Sequence, residues 1–184
     1  MSSKYKIRNN EALHFVTFTV VNWIDVFTRN VYKDIVLDSF RYCQMNKGLE
    51  IYAYCIMTNH IHMIVAVQDN TFGLVDVVRD MKKYTASTLI KAIKSNPKES
   101  RKEWMLWMFG RAGKRQSGNK DYQFWRNGFH PIELSSNQMI EQRLDYIHEN
   151  PVRAGFVLSQ EEYLYSSAKN YAGLDSNFEV SLIC

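Results

Sequence analysis

The sequence has few of the residues that interrupt or cross-link a chain. Its 184 residues include only three prolines, eight glycines and three cysteines, whereas 46% are hydrophobic and 14% aromatic. This composition excludes a disordered or collagen-like chain and predicts a sizeable core. The cysteines Cys43, Cys55 and Cys184 form no CxxC pair, which argues against both a disulfide framework and a zinc knuckle.

Long apolar segments are also absent. No run approaches the roughly 20 residues that span a bilayer, and residues 1–5 do not have the pattern of a signal peptide. We therefore expect a cytoplasmic protein with no membrane partner. The length favours a single domain over residues 1–184, with a core at about 13–157 and a C-terminal tail at 158–184.

Positive charge is concentrated in one segment. Between Arg79 and Lys120 there are twelve basic and three acidic residues, although the net charge of the whole chain is only +4. A local excess of this size fits a polyanionic partner, because each neutralised phosphate releases condensed counterions. On charge alone, a solvated basic surface without a ligand explains the pattern equally well.

Hydrophobic periodicity predicts strands and helices in alternation. Strands are predicted at residues 13–21, 50–57 and 60–67, and helices at residues 30–45, 72–93 and 135–151. Ser135 and Gln138 form a capping-box pattern at the start of the last helix, and Pro151 is predicted to end it. Residues 95–103 are predicted as a loop and the glycine-rich residues 110–120 as a mobile segment, while the state of residues 104–109 stays open. A hairpin between helices predicts an α+β fold, an antiparallel sheet with helices packed on it.

Two histidines lie two positions apart on the third predicted strand. His60 and His62 therefore emerge on one face, and the alternating apolar residues from Ile61 to Val67 form the face that we predict to be buried. Two imidazoles at this spacing can bind one divalent ion or contact a phosphate, but a metal site needs a third ligand from elsewhere. Two half-exposed histidines with local hydrogen bonds are the alternative.

The last predicted helix carries a tyrosine outside its apolar stripe. That stripe consists of Ile140, Leu144 and Ile147. At about 100° per residue, Tyr146 and Asn150 project together from its flank, with Arg143 nearby. A phenol beside an amide and a cation is a candidate nucleophile or phosphate clamp, but a structural tyrosine followed by a helix-ending Asn-Pro fits the same pattern.

Taken together, these motifs resemble the single-tyrosine HUH transposases. Residues 54–65 (YCIMTNHIHMIV) are similar to the His–hydrophobic–His strand of that family. Residues 144–155 (LDYIHENPVRAG) are similar to its tyrosine helix in the branch of REP-associated tyrosine transposases. Residues 124–131 (FWRNGFHP) and 163–171 (YLYSSAKNY) match the same branch, whereas Thr58 stands where many relatives have proline.

The resemblance implies a fold and a chemistry. The fold is a ferredoxin-like or RRM-like antiparallel sheet with the histidines on a central strand and the tyrosine helix across it. Tyr146 would be the catalytic nucleophile, and His60, His62 and Asn150 would hold Mg²⁺ or Mn²⁺. The activity would be cleavage and rejoining of single-stranded DNA next to hairpins through a 5′-phosphotyrosine intermediate. Relatives include both monomers and dimers, so a homodimer is among the expected states.

Further residues are candidates for contacts with DNA. The candidates for backbone contacts are Lys82, Lys83, Lys91, Arg111, Lys114, Arg115 and Arg143. Trp104, Trp107 and Trp125 are candidates for stacking on unpaired bases, with core residues as the alternative. His130 and His148 are candidates for supporting the metal ligands or the phosphate from outside.

Two other functions stay open at this point. A non-catalytic, domesticated RRM-like protein would keep nucleic-acid binding and lose the chemistry, although intact His60, His62, Tyr146 and Asn150 argue against that loss. A metal-dependent hydrolase of small phosphate esters would use the same histidines and leave the basic segment without a role.

Overall fold

Strands and helices alternate along most of the chain. The computed structural model describes residues 7, 9–68, 72–115 and 121–183. In chain order the elements are β1 (His14–Thr19), α1 (Asn30–Lys47), β2 (Leu49–Ile56), β3 (His60–Val67), α2 (Leu74–Ser95), α3 (Lys102–Lys114), β4 (Ile132–Glu133), α4 (Asn137–Arg153) and α5 (Ala168–Tyr171). Across these described ranges, none of the helices has the length and apolar character of a membrane span.

The four strands form one antiparallel sheet in the order β2-β3-β1-β4. This is the strand order of a ferredoxin-like sheet, and it puts β3, with both histidines, in a central position. The predicted α+β class is thereby confirmed. The two-residue strand β4 is absent from the sequence prediction because it is too short to show a period.

Helices cover both faces of the sheet. On one face, Phe40 of α1 meets Tyr54 of β2, and Lys82 of α2 lies over Phe18 of β1. On the other face, Tyr146 of α4 lies against the ring of His62. The alternating apolar residues from Ile61 to Val67 are buried as predicted, but the histidine face is also covered, because α4 crosses it.

The glycine-rich segment after Phe109 is helical as far as Lys114, and this part of the prediction of a mobile segment is wrong. α3 runs from Lys102 to Lys114, with Phe109 fully buried. A Cβ on Gly113 would lie 2.9 Å from the carbonyl oxygen of Asp121, so this glycine permits a close approach of two segments. Residues 116–120 of the predicted mobile segment lie outside the described residues.

Both ends of α4 differ from the prediction by a few residues. The N-cap is Ser136, whose hydroxyl accepts from the Met139 amide at 3.3 Å, instead of the predicted Ser135. The helix continues through Pro151 to Arg153. Because Pro151 stands in the last turn, its missing N–H removes only one helical hydrogen bond. Gly155, at a φ of +74°, supplies the left-handed conformation that ends the helix.

The C-terminal segment pairs with the outer side of β2. Ser166 forms an antiparallel bridge with Cys55. On either side of it, the Ile56 amide donates to Tyr165 at 2.9 Å and the Ser167 amide donates to the carbonyl of Tyr54 at 3.0 Å. Further along, the amide of Ser181 donates to the carbonyl of Ile51 at 3.0 Å. The edge strand β2 is therefore hydrogen-bonded on both sides.

Candidate active site

Tyr146 lies on the side of α4 that faces the sheet. Its phenol oxygen is 3.5 Å from Nε2 of His62, and the two rings meet nearly edge-on with centroids 5.1 Å apart. Phe15 of β1 contacts both groups, stacking on His62 at 5.4 Å and meeting Tyr146 edge-on at 6.1 Å. A single chain thus brings the predicted nucleophile into contact with one of the predicted metal ligands.

His60 and His62 stand side by side on β3, with ring centroids 4.7 Å apart. The Nδ1 of each ring has a polar partner. His60 Nδ1 is 2.6 Å from Oδ1 of Asn59, and His62 Nδ1 is 2.8 Å from Oγ1 of Thr17. Partners at Nδ1 fix the ring orientation and leave Nε2 to a ligand, as in the usual arrangement of metal-binding histidines.

The surroundings keep both imidazoles uncharged at neutral pH. Burial lowers the pKa of His62 to about 3, and the nearby charges of His60 and Arg143 act in the same direction. Burial also lowers the pKa of His60. A neutral imidazole has a free lone pair, so the pair is in the protonation state that a metal ligand requires.

Asn150 and Arg143 flank Tyr146 on the same helix. Asn150 follows one helical turn later and is half-buried. Arg143 precedes Tyr146 by one turn, and its guanidinium lies 4.8 Å from the centre of the Phe15 ring. In the part of the chain that the structure describes, no hydrogen bond joins the Asn150 side chain to either histidine.

The predicted ligands His60, His62 and Asn150 would together fit a divalent ion that accepts mixed nitrogen and oxygen ligands. Two neutral imidazoles and one amide oxygen suit Mn²⁺ well and Mg²⁺ less well. No group of three or more His, Cys, Asp and Glu side chains forms a metal site among the residues described. A site at His60 and His62 would therefore need Asn150 or the substrate to complete it.

Apart from Lys82 and Arg143, the candidates for backbone contacts fall into two groups. Lys83 and Lys91 are exposed on α2, and they line a groove of about 920 Å³ between α2 and residues 121–129. Other cationic residues in its lining are Arg79, Lys82, Lys94 and Arg126. Arg111, Lys114 and Arg115 are exposed at the end of α3.

Lys82, which the sequence predicts as a DNA contact, is half-buried and hydrogen-bonded within the protein. Its ammonium donates to the carbonyls of Arg126 at 2.9 Å and Gly128 at 2.7 Å. Burial lowers its pKa to about 8. The side chain therefore holds one wall of the groove to α2.

The tryptophan candidates also separate. Trp125 is only 6% exposed, and its indole N–H donates to Oγ1 of Thr85 at 3.0 Å, so it is a core residue and the stacking prediction for it is wrong. Trp104 and Trp107 remain exposed on α3.

The two supporting histidines lie in different surroundings. His130 is exposed on the segment before β4. His148 is 4% exposed, its Nε2 is 2.8 Å from Oγ of Ser167, and its ring lies 5.2 Å from that of Tyr171. These contacts connect His148 with the C-terminal segment. They are not made on the side of α4 that carries Tyr146.

Burial of His148 makes the stability of the fold depend on pH. Desolvation lowers its pKa to about 4, whereas the pKa of an unfolded histidine is about 6.5. Below pH 6.5 the unfolded chain therefore binds a proton that the folded chain does not. We expect the free energy of unfolding to fall by up to about 1.4 kcal/mol per pH unit from this residue as the pH drops from 6.5 to 4.

Urea titrations in EDTA over this pH range, on the wild type and on His148→Gln, measure that contribution. The glutamine keeps a polar partner for Ser167 and cannot titrate. The fall in stability with decreasing pH should be shallower in the variant. Equal slopes would contradict the burial of a neutral imidazole at this position.

Two residues of β1 that contact the site are not found by the sequence analysis. Phe15 contacts Tyr146 and His62, and Thr17 orients His62. The available signal is the strand period, because residues 15, 17 and 19 share a face of β1. Only the register, in which Thr17 pairs with His62, shows which histidine the threonine serves.

A ferredoxin-like sheet with a histidine pair on a central strand, crossed by a helix that carries a tyrosine, is the arrangement of the single-tyrosine HUH transposases. The sequence profile described as "Transposase IS200 like" matches residues 9–110, just over half of the chain. The chain belongs to this family. The match includes both histidines and ends before the tyrosine helix.

One solved structure agrees with this fold. A REP-associated tyrosine transposase bound to a REP hairpin is similar with a TM-score of 0.67 and 16% identity, covering 100% of this chain and 94% of the other. At this identity the likeness establishes the fold alone. A candidate transposase from Deinococcus radiodurans R1 has a TM-score of 0.45 and 18% identity, covering 82% of this chain and 95% of the other. Among curated proteins, no sequence matches this chain significantly.

Proposed function

We propose that this protein cleaves and rejoins single-stranded DNA next to hairpins, with Tyr146 as the nucleophile. The observation that carries the proposal is the 3.5 Å approach of the Tyr146 oxygen to Nε2 of His62. Membership in a transposase family supports DNA as the substrate. The likeness to a transposase bound to a REP hairpin favours hairpin-flanked sites.

The reaction exchanges one phosphate ester for another. The Tyr146 oxygen gives up its proton and attacks the scissile phosphorus, and the O3′ of the preceding nucleotide leaves and takes up a proton. The products are a 5′-phosphotyrosine and a free 3′-hydroxyl. Because no ester is lost to water, a 3′-hydroxyl can attack the phosphotyrosine and reseal a strand without ATP.

The chain's own residues position and hold the reacting groups. His60, His62 and Asn150 are the proposed ligands of a Mg²⁺ or Mn²⁺ ion. When bound, such an ion supplies positive charge that stabilises the phosphate during exchange. Phe15 fixes the Tyr146 ring against His62, and Arg143, at the edge of the same group, is proposed to contact a phosphate oxygen.

The proposed site needs no second copy of the chain. Tyr146, His60, His62 and Asn150 all come from the same chain, and the contact between Tyr146 and His62 forms within it. A homodimer is compatible with this arrangement, but we propose that a monomer is competent for cleavage.

An adduct assay tests the proposed function. The probe is hairpin-flanked single-stranded DNA with a fluorophore at its 3′ end, because the 5′-phosphate of the downstream fragment becomes attached to the protein. With Mn²⁺, the wild type should give a fluorescent protein band that survives denaturation, and EDTA present during the reaction should prevent its formation. Binding without any adduct would favour the non-catalytic alternative. Turnover of a small phosphate ester without an adduct would favour the hydrolase.

The basic groove makes a separate prediction about salt dependence. If Lys83 and Lys91 each contact one phosphate, Lys83→Ala/Lys91→Ala should weaken binding and reduce the slope of log K against log salt by roughly 1.4, about 0.7 per contact with single strands. Fluorescence anisotropy over a salt series measures the slope. Lys98→Ala, an exposed lysine outside the groove, is the control. An unchanged slope in the double variant would place the DNA elsewhere.

A further inference from the structure

Trp23, which the sequence analysis does not single out, lies beside the candidate active site. It follows β1 in a short 3-10 turn and is 56% exposed. Its ring centroid is 6.2 Å from that of His60, and the guanidinium of Arg126 lies 5.7 Å from the centre of its ring. A flat apolar surface and a positive charge therefore stand next to the proposed metal ligands.

The backbone of this turn is held in a conformation that tryptophan rarely adopts. Asn22 and Trp23 have φ values of 54° and 56°. Asparagine tolerates this left-handed region, but a bulky residue such as tryptophan adopts it only with strain. Such strain persists only where neighbouring structure imposes it, and it concentrates at functional sites.

The neighbouring structure here is the turn that leads into the histidine strand. The amide of Val20 donates to the carbonyl of Asn59 at 2.9 Å, and the Asn59 side chain donates to the carbonyl of Trp23 at 3.4 Å. The amide of Val21 donates to Phe124 at 2.8 Å. These bonds hold the backbone of the turn against the start of β3, next to His60.

Arg126 connects this tryptophan with the basic groove. Its side chain is exposed and lies near the ring of Trp23, and it also lines the groove between α2 and residues 121–129. A surface with aromatic and cationic character therefore continues from the histidines to the groove. Stacking surfaces beside a basic groove are what proteins use to bind single-stranded nucleic acid.

We infer that Trp23 is a stacking platform for an unpaired base of single-stranded DNA, with Arg126 holding the backbone beside that base. This inference rests on the proposed function, since it places the base close to the bond that Tyr146 cleaves. The strained turn gives the platform its position, and the charge of Arg126 complements a phosphate. We expect the platform to accept any base without sequence preference, because every base offers a flat face.

Binding of oligothymidylate in EDTA tests the platform without any chemistry. Trp23→Ala should lower the affinity about tenfold, the effect expected for loss of one stacked base. Trp23→Phe should restore most of it. Tyr42→Ala, which removes a similarly exposed ring (55%) on α1, should leave the affinity unchanged.

An oligonucleotide of abasic sites separates stacking from a structural role. The wild type and Trp23→Ala should bind this probe equally, because it offers no base. Equal losses on both probes would mean that the substitution disturbs the fold, and they would overturn the inference. So would unchanged affinity of Trp23→Ala for oligothymidylate, or a wild type that does not bind oligothymidylate.

Failure of the platform and failure of the proposed function give different results. If Trp23→Ala binds oligothymidylate more weakly than the wild type, but the wild type forms no adduct with Mn²⁺, strand cleavage is refuted and the platform stands. If the wild type forms the adduct, but Trp23→Ala binds oligothymidylate as tightly as the wild type, strand cleavage stands and the platform is refuted.

Discussion

Tyr146→Phe should abolish the covalent protein–DNA adduct and leave the affinity for single-stranded DNA nearly unchanged. The substitution removes only the phenol oxygen, which is the atom proposed to attack the phosphate. The ring keeps its edge-on contacts with His62 at 5.1 Å and with Phe15 at 6.1 Å, so the surface that DNA meets is preserved. A denaturing gel with the 3′-labelled probe measures the adduct, and anisotropy in EDTA measures the affinity.

Tyr42→Phe is the matched control for this change. Tyr42 is 55% exposed on α1, and its phenol oxygen has no place in the proposed reaction. This variant should form the adduct at the wild-type rate. An adduct that persists in Tyr146→Phe would show that another residue is the nucleophile.

His62→Ala should abolish both binding of Mn²⁺ and formation of the adduct. The substitution removes an imidazole whose Nε2 is 3.5 Å from the Tyr146 oxygen. Thr17→Val should have a smaller effect of the same kind, because Oγ1 of Thr17 holds Nδ1 of His62 at 2.8 Å. Loss of such an orienting partner typically lowers metal affinity 10- to 100-fold. Calorimetric titration with Mn²⁺ measures the affinity of each variant.

Thr19→Val controls for the change from threonine to valine. Thr19 lies on the same strand and the same face as Thr17 and pairs with His60 in the register. No hydrogen bond joins its hydroxyl to an imidazole within the described ranges, so Mn²⁺ affinity should not change. Full Mn²⁺ affinity in His62→Ala would disprove the proposed ligand set.

The sequence predicts elements well where one period dominates. The strand of the two histidines has the bounds His60–Val67 in both the prediction and the structure. The main error of the prediction is the glycine-rich end of α3, because glycines in a sequence indicate flexibility. In the fold, Gly113 permits the close approach of the segment at Asp121, which packs back against α3. Tertiary contacts of this kind leave no local pattern.

The sequence likewise predicts some residues of the candidate site and misses others. The histidine pair and Tyr146 are visible in the sequence as parts of a strand and a helix, and the family resemblance relates them. Their contact depends on α4 crossing the face of the sheet on which His62 lies. The role of Thr17 can be recognised only from the cross-strand register, and that of Trp23 only from a left-handed turn. Neither feature is encoded by a local period.

The C-terminal segment has a consequence for how copies of the protein meet. Outer backbone groups of β2 are paired by hydrogen bonds or a β-bridge with four residues of this segment, Tyr165, Ser166, Ser167 and Ser181. An unpaired strand edge is a template on which another chain can add a strand and start aggregation. Because the chain itself occupies these backbone groups, they cannot pair with a strand of another copy. The C-terminal segment therefore covers this edge of β2 against strand addition by another chain.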